Sequence, residues 1–144
     1  MTAIAEFGTR LPGVEYRLRC GGYVVLSNEA GDVVILETRS GTFLPGGGQE
    51  RDETPELAAV RESIEECGLV VRLGPRIGVA DELAYGEAER AYFRKRCTFF
   101  TAIVVERDAG VVPEHTVTWV RPEEAVARLS HGSQRWAVTQ ACRG

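Results

Sequence analysis

GGQERDETPELAAVRESIEECGL occupies residues 47–69 and follows Leu44-Pro45-Gly46. Its first half is a glycine-rich turn. Its second half opens on Thr54-Pro55 and carries a helical pattern. Thr54 suits the N-cap, and Pro55 suits the first helical position, where a missing N–H costs nothing. Gly68 suits the C-terminal stop. At about 100° per residue, Glu62, Glu65 and Glu66 are spaced i, i+3, i+4 and share one face. Leu57, Val60, Ile64 and Cys67 fall on the opposite face. Ala58 and Ala59 come one turn before the acids and leave room above them. The expectation is a helix that buries its apolar face and holds three carboxylates outward.

Three clustered carboxylates repel one another unless something neutralises them. A divalent cation does so, and hard oxygen donors suit Mg²⁺ or Mn²⁺. A solvated acidic face is the commoner fate of a Glu-rich helix. The bare Pro45-Gly46-Gly47-Gly48 turn directly before it argues otherwise, because glycine lets backbone groups approach a ligand closely.

The stretch resembles the signature box of the Nudix hydrolases: Gly, five residues, Glu, seven residues, then Arg-Glu-aliphatic-any-Glu-Glu-any-Gly-aliphatic. Gly47, Glu53, Arg61, Glu62, Glu65, Glu66, Gly68 and Leu69 match. Ser63 departs from the usual aliphatic residue, and Asp52 and Gln49 also differ. The specific likeness covers roughly residues 44–69.

The resemblance implies an α/β fold, an α/β/α sandwich with a mixed β-sheet. It implies a hydrolase dependent on Mg²⁺ or Mn²⁺ that cleaves the diphosphate linkage of a nucleoside diphosphate joined to another moiety. Carried over by position, Glu65 and Glu66 are the expected metal ligands, and Glu62 is a third ligand or the base. The Gly46 carbonyl would complete the shell. Glu53, at the helix entrance, is a further candidate at the metal, against the plainer reading of a charge favoured by the helix dipole. Arg61 belongs to the same catalytic box, with the expected work of holding a glutamate by a bidentate pair. Glu114, ahead of the strand bearing Trp119, is an added ligand or base by the family pattern. Asp81, Glu82, Glu87 and Glu89 compete for that role.

Arg39 and Arg94 are candidate substrate contacts, with Lys95 and Arg96 beside them. Arg94 and Arg96 share one strand face and Lys95 takes the other. Tyr92, Phe93, Phe99 and Phe100 are expected mainly in the core. His115 and His131 belong to no motif, and His131 is expected as a loop or capping residue.

The chain of 144 residues is long enough for one domain with its own core, and 26% charged residues is ordinary for a globular protein. A net charge of −4 argues against a nucleic-acid binder and leaves a small nucleotide substrate open. Cys20, Cys67, Cys97 and Cys142 form no CxxC pair and are expected as reduced thiols in a cytoplasmic protein. No apolar run approaches membrane-spanning length. Homodimerisation is left open. A catalytically silent nucleotide-binding or regulatory module is the alternative, but such a module should have lost one of Glu62, Glu65 and Glu66. An isoprenoid diphosphate isomerase and an RNA-cap hydrolase have less support, from two scattered histidines and an acidic chain.

One domain is expected over residues 1–144, with 1–13 a loose arm. Tyr16 to Leu26 reads as a strand with Leu18, Cys20, Val24 and Leu26 on one face. Gly21-Gly22 within it marks a bulge or close packing under another element. A hairpin turn at 28–31 leads to a strand over 32–38. After the box helix, 70–73 and 77–84 read as two extended pieces broken at Gly74-Pro75, and 85–89 as a polar loop. Tyr92 to Glu106 reads as a central strand. A strand over 115–120, a short helix over 122–129 and a last helix capped by Ser133 close the chain.

Overall fold

The computed structural model describes residues 3–143. Its elements in chain order are β1 (Ala5–Phe7), β2 (Arg17–Ser27), β3 (Val33–Thr38), β4 (Gly41–Phe43), β5 (Gly46–Gly48), α1 (Pro55–Cys67), β6 (Leu69–Gly86), β7 (Ala91–Arg107), β8 (Thr116–Val120), α2 (Pro122–Arg128) and α3 (Gly132–Arg143). The strands form one sheet in the order β1-β6-β7-β2-β3-β4, with β5 paired to β2 and β8 to β3. β1 runs parallel to β6 and β2 parallel to β7, and the remaining pairs are antiparallel. The sheet is therefore mixed.

Alternation along the strands divides the core in two. Val24, Leu26, Val34, Leu36, Phe100 and Ala102 pack with Ala59 and Cys67 of α1. Val25, Val33, Ile35, Cys97 and Phe99 pack on the other side with Ala125 of α2 and Ala137 and Val138 of α3. This is the α/β/α sandwich expected from the sequence. β7 lies between β6 and β2 over residues 93–103, which explains why it is apolar on both faces after Cys97. Phe93, Phe99 and Phe100 are buried there.

The ends of α1 form as its sequence requires. The Thr54 hydroxyl accepts the Leu57 N–H at 3.2 Å. Gly68 takes the left-handed conformation at φ 67° and donates its N–H to Ile64 O. The buried face, however, is rotated from the expected one. Ala58, Ala59, Ser63 and Cys67 are buried, whereas Leu57 is 55% exposed and Ile64 only half-buried. The two alanines do not leave space; their small side chains let α1 approach the sheet. Gly22 sets how close. A Cβ there would lie 1.9 Å from Pro55 O and 3.2 Å from Ala59 N, which is why the strand carries glycine under this helix. Ser63 lies inside the buried stripe, its hydroxyl donating to Ala59 O at 2.7 Å.

Four other expectations need correction. Residues 5–7 are not a loose arm: they pair with β6, and Phe7 packs against Trp136. Residues 69–86 are one strand, whose register shifts around Leu73, Arg76 and Gly78 absorb Gly74-Pro75 without ending the pairing. Leu18 and Cys20 lie on the sheet beyond the reach of α1 and are exposed. Ser133 is not a cap; it stands in the first turn of α3, where its N–H donates to Glu82 Oε1 at 2.9 Å.

Gly22→Ala forces backbone against backbone, so no side-chain rotamer relieves it. The expected cost is about 3 kcal/mol or more, measured by urea unfolding against Gly31→Ala as a control for the general cost of losing a glycine at an open turn.

Candidate functional site

The glycine turn is itself a strand. β5 pairs with β2 at Gly21, Gly22 and Tyr23 and lies beside α1. A Cβ on Gly47 would lie 1.8 Å from Glu62 Oε2, so Glu62 is not held outward. Glu62 and Glu66 are tucked between α1 and the glycine strand, while the Glu65 side chain is 44% exposed. Glu66 Oε1 accepts the Gly46 N–H at 2.9 Å.

Arg61 sits among these acids. Its Nε and Nη2 donate to Glu53 Oε2 and Oε1 at 2.7 and 2.9 Å, a bidentate pair. Nη2 also reaches Gly48 O at 3.1 Å. Nη1 stands 3.3 Å from Glu62 Oε1 and 3.3 Å from Glu65 Oε2. Glu53 Oε1 further accepts the Glu50 N–H at 2.8 Å. Both oxygens of Glu53 are thus engaged, and Arg61 ties α1 to the loop before it and to β5.

One guanidinium does not balance the set. The Arg61 hydrogen bond, then the Glu50 N–H, draw the Glu53 carboxyl down to about 2. Burial pushes Glu66 up to about 7, with Glu114 and Glu65 adding to the rise against the Gly46 N–H. Burial, reinforced by Glu65 and Glu66, raises Glu62 as well. The set as a whole carries more negative charge than Arg61 offsets, and its donors are all oxygen, so a hard divalent cation fits the site chemically. Among the described residues, no three candidate ligands converge ready to hold a metal. Glu62 and Glu65 point at Arg61 and Glu66 at Gly46, so binding requires the acids to turn.

A cavity of about 430 Å³ opens beside this corner, lined by Glu66, Gly46, Gly47 and Gly48 at one end and by Arg19 and Lys95 among others further along. Its walls include Tyr23, Phe43, Tyr85 and His131. The His131 ring rests 4.9 Å from that of Phe43. Gln134 Oε1 accepts the Leu44 N–H at 2.8 Å and so holds the start of α3 against the glycine strand. His131 borders this cavity, beyond the loop or capping role expected of it. A second, shallower pocket shares Thr38, Ser40 and His115 with the first and includes Arg39 and Glu114.

The candidate substrate cations fare differently. Arg39 is exposed on the β3–β4 turn and lines only the shallow pocket. Arg94 is corrected: with Arg96 it pairs with buried Asp81, each at 3.0 Å, on the opposite face from the cavity. Lys95, one residue on, faces the cavity instead. Of the acids weighed against Glu114, Asp81 is held by those arginines, Glu82 by Ser133 N–H and Glu89 by Arg19. Tyr23, Phe43 and Tyr85 had no motif to mark them; they meet only when β2, β4 and β6 assemble. Burial pushes the Cys67 and Cys97 thiols up to about 12, so neither is a nucleophile.

A mixed sheet between helices, with an acid-rich helix beside a glycine strand, defines an α/β/α protein with a carboxylate-lined corner. The NUDIX domain family model matches residues 18–142. Nudix hydrolase 18, mitochondrial, of Arabidopsis thaliana is 29% identical over 78% of this chain and 63% of its own length. A MutT-like protein of Streptomyces ambofaciens is 32% identical over 74% of this chain and 66% of its own. The chain thus spans just under two thirds of these two relatives. The solved structure of a NUDIX hydrolase from Nitrosomonas europaea superposes with a TM-score of 0.73 at 16% identity, over 89% of this chain and 90% of that one, a likeness of fold. The chain belongs to the NUDIX domain family, whose enzymes act on phosphorus anhydrides. Among the described residues, no helix is long and apolar enough to cross a membrane.

Two measurements follow. Glu66 titrates in the fold near 7, above its ordinary 4.5, so the folded protein binds its proton more tightly than the unfolded chain does. Stability of the metal-free protein should therefore fall as pH rises from about 5 to 8, by up to about 3 kcal/mol from this group. Glu53, held low, works oppositely: its contribution is lost as pH falls from 4.5 through about 2. Thermal melts in EDTA across pH 3–8 should peak near pH 5. Arg61→Lys keeps the charge but cannot hold both Glu53 oxygens. Melts in EDTA should show it destabilised by about 1–3 kcal/mol.

Proposed function

We propose that this chain is a divalent-metal-dependent hydrolase that cleaves the diphosphate linkage of a nucleoside diphosphate joined to another moiety. The observation that carries this reading is the surplus of carboxylate at Glu62, Glu65 and Glu66 over the single Arg61 guanidinium, with Glu62 and Glu66 half-buried beside the glycine strand and Glu66 lining an aromatic-walled cavity. Glu65 and Glu66 would hold the cation, Mg²⁺ or Mn²⁺, with the Gly46 carbonyl, and Glu62 would be a third donor or the base that takes the water's proton. A cation held there would supply charge neutralisation at the phosphate oxygens and a lowered pKa for the attacking water.

The chain's own groups do the rest. Arg61 is a positioning residue: it locks Glu53 and orients Glu62 and Glu65 until a cation competes for them. Glu53 acts through Arg61, and its engaged oxygens speak against a place at the metal. Glu114 supplies a further carboxylate from the loop before β8, in the shallow pocket that adjoins the cavity. Tyr23, Phe43 and Tyr85 give flat apolar surfaces suited to a base. Arg39, at the shallow pocket, suits a phosphate of the second moiety. The free exposed thiols Cys20 and Cys142 support a reducing compartment such as the cytoplasm.

The test is a panel of nucleotide diphosphate derivatives with Mg²⁺ or Mn²⁺, products resolved by chromatography. Turnover should vanish in EDTA and return with metal. Glu66→Gln should cut kcat at least 100-fold at saturating metal, because a neutral amide is a poor ligand for a hard cation. Wild-type turnover in EDTA after metal stripping, or a near-wild-type rate for Glu66→Gln, would overturn the reading. No turnover of any substrate would leave the silent nucleotide-binding module in its place.

A further inference from the structure

Lys95 is the only lysine in the chain, against sixteen arginines among its 17 basic residues. It is half-buried, and it lines the cavity rather than the outer surface. Of the other charges at that end, Arg19 is paired and Glu82 is held by a backbone N–H. Arg19, its cross-strand neighbour on β2, binds Glu89 at 3.2 Å and lies 4.0 Å over the Phe93 ring. Glu82, its cross-strand neighbour on β6, is buried and accepts the Ser133 N–H at the start of α3. Among the described residues, Lys95 itself has no salt bridge and no side-chain hydrogen bond. A half-buried ammonium with three free donors, in a cavity, is a site for an anion.

Its position separates it from the acid corner. Gly46 pairs with Tyr23, and Lys95 pairs with Arg19, four residues back along β2. At the rise of an extended strand the two levels are about 13 Å apart. The two ends of one cavity thus carry opposite chemistry: carboxylates that need a cation at one, an unmatched cation at the other.

We infer that Lys95 is a specificity-determining residue that binds a second anionic group of the substrate, a phosphate ester on the moiety lying in the cavity and separate from the diphosphate that is cut. The inference rests on the proposed hydrolase reading, and its test has an arm that does not. Lys95→Met keeps the length of the side chain and removes the charge. The first arm compares substrates that differ only by one ribose phosphate: coenzyme A with 3′-dephospho-coenzyme A, and NADPH with NADH. For at least one pair, wild type should favour the phosphorylated member about ten-fold or more in kcat/KM, the worth of one charged hydrogen bond. Lys95→Met should lose that preference, mainly through KM. A wild type indifferent to the ester in both pairs, or a variant that loses equally on both members of a pair, would overturn the inference and leave Lys95 as a counter-charge to Glu82.

The second arm needs no turnover. Because Lys95 is the only lysine, reductive methylation at its ε-amine is read from a single peptide by mass spectrometry. Adenosine 3′,5′-diphosphate should protect it at least ten-fold better than AMP. Equal protection by the two, or protection by inorganic phosphate as strong as by the diphosphate, would overturn a substrate-borne anion. If no substrate is cut but selective protection holds, the hydrolase reading fails and the anion site stands.

Discussion

The approach of α1 to β2 at Gly22 is the constraint from which the site follows. With a Cβ at that position lying 1.9 Å from Pro55 O, helix and strand meet backbone to backbone. Ala58 and Ala59 contribute nothing bulky to hold them apart, and both are fully buried. This closeness carries the C-terminal turns of the helix under β5. There Glu62 fills the space a side chain on Gly47 would need, and Glu66 meets the Gly46 N–H. The glycines therefore serve closeness more than turning: three of them are paired strand residues.

That geometry has an electrostatic cost which the fold only partly offsets. Arg61 faces Glu50, Glu53, Glu62 and Glu65 within 4 Å, and its best bonds go to Glu53. Glu66 is left with a backbone N–H alone. Buried carboxylates without counter-charge take up protons or a cation. The same imbalance that lowers the stability of the metal-free protein near neutral pH makes the corner suited to a hard metal ion. Arg61 holds the acids apart from one another without cancelling them.

The cavity depends on a different set of contacts. Gln134 clamps the start of α3 to Leu44, Ser130 meets Thr42 through both its backbone and its hydroxyl, and Glu82 takes the Ser133 N–H. Together they hold His131 over Phe43 and close one wall. β2 and β7 supply the floor through residues on the face opposite α1: Arg19 and Tyr23 from one, Lys95 from the other. The acid corner and the binding cavity thus meet along β2, whose alternate residues serve the two layers.

Residues 44–69 by themselves determined a great deal. The caps of α1, a bidentate Arg61–glutamate pair without the identity of its partner, the clustering of Glu62, Glu65 and Glu66 and the sandwich architecture were all legible there, because each depends on local spacing or on a motif confined to one stretch. Gly21-Gly22 reads from the sequence as a bulge or as close packing under another element, and the contact with α1 decides for the second. Tertiary structure alone decided which way the acids point. The helix wheel places Leu57 inward, yet the glycine-lined contact favours the narrow face of Ala58, Ala59 and Ser63 and turns Glu62 and Glu66 toward the sheet. It also decided the fates of neighbours in sequence. Arg94 and Lys95 look alike in the chain, but strand alternation sends one to Asp81 and the other into the cavity. Phe7 lies in what reads as a loose arm, and only the pairing with β6 ties it down. No local pattern marks Tyr23, Phe43, Tyr85 and His131 as one site, because they come from four separate parts of the chain and their proximity is a property of strand order.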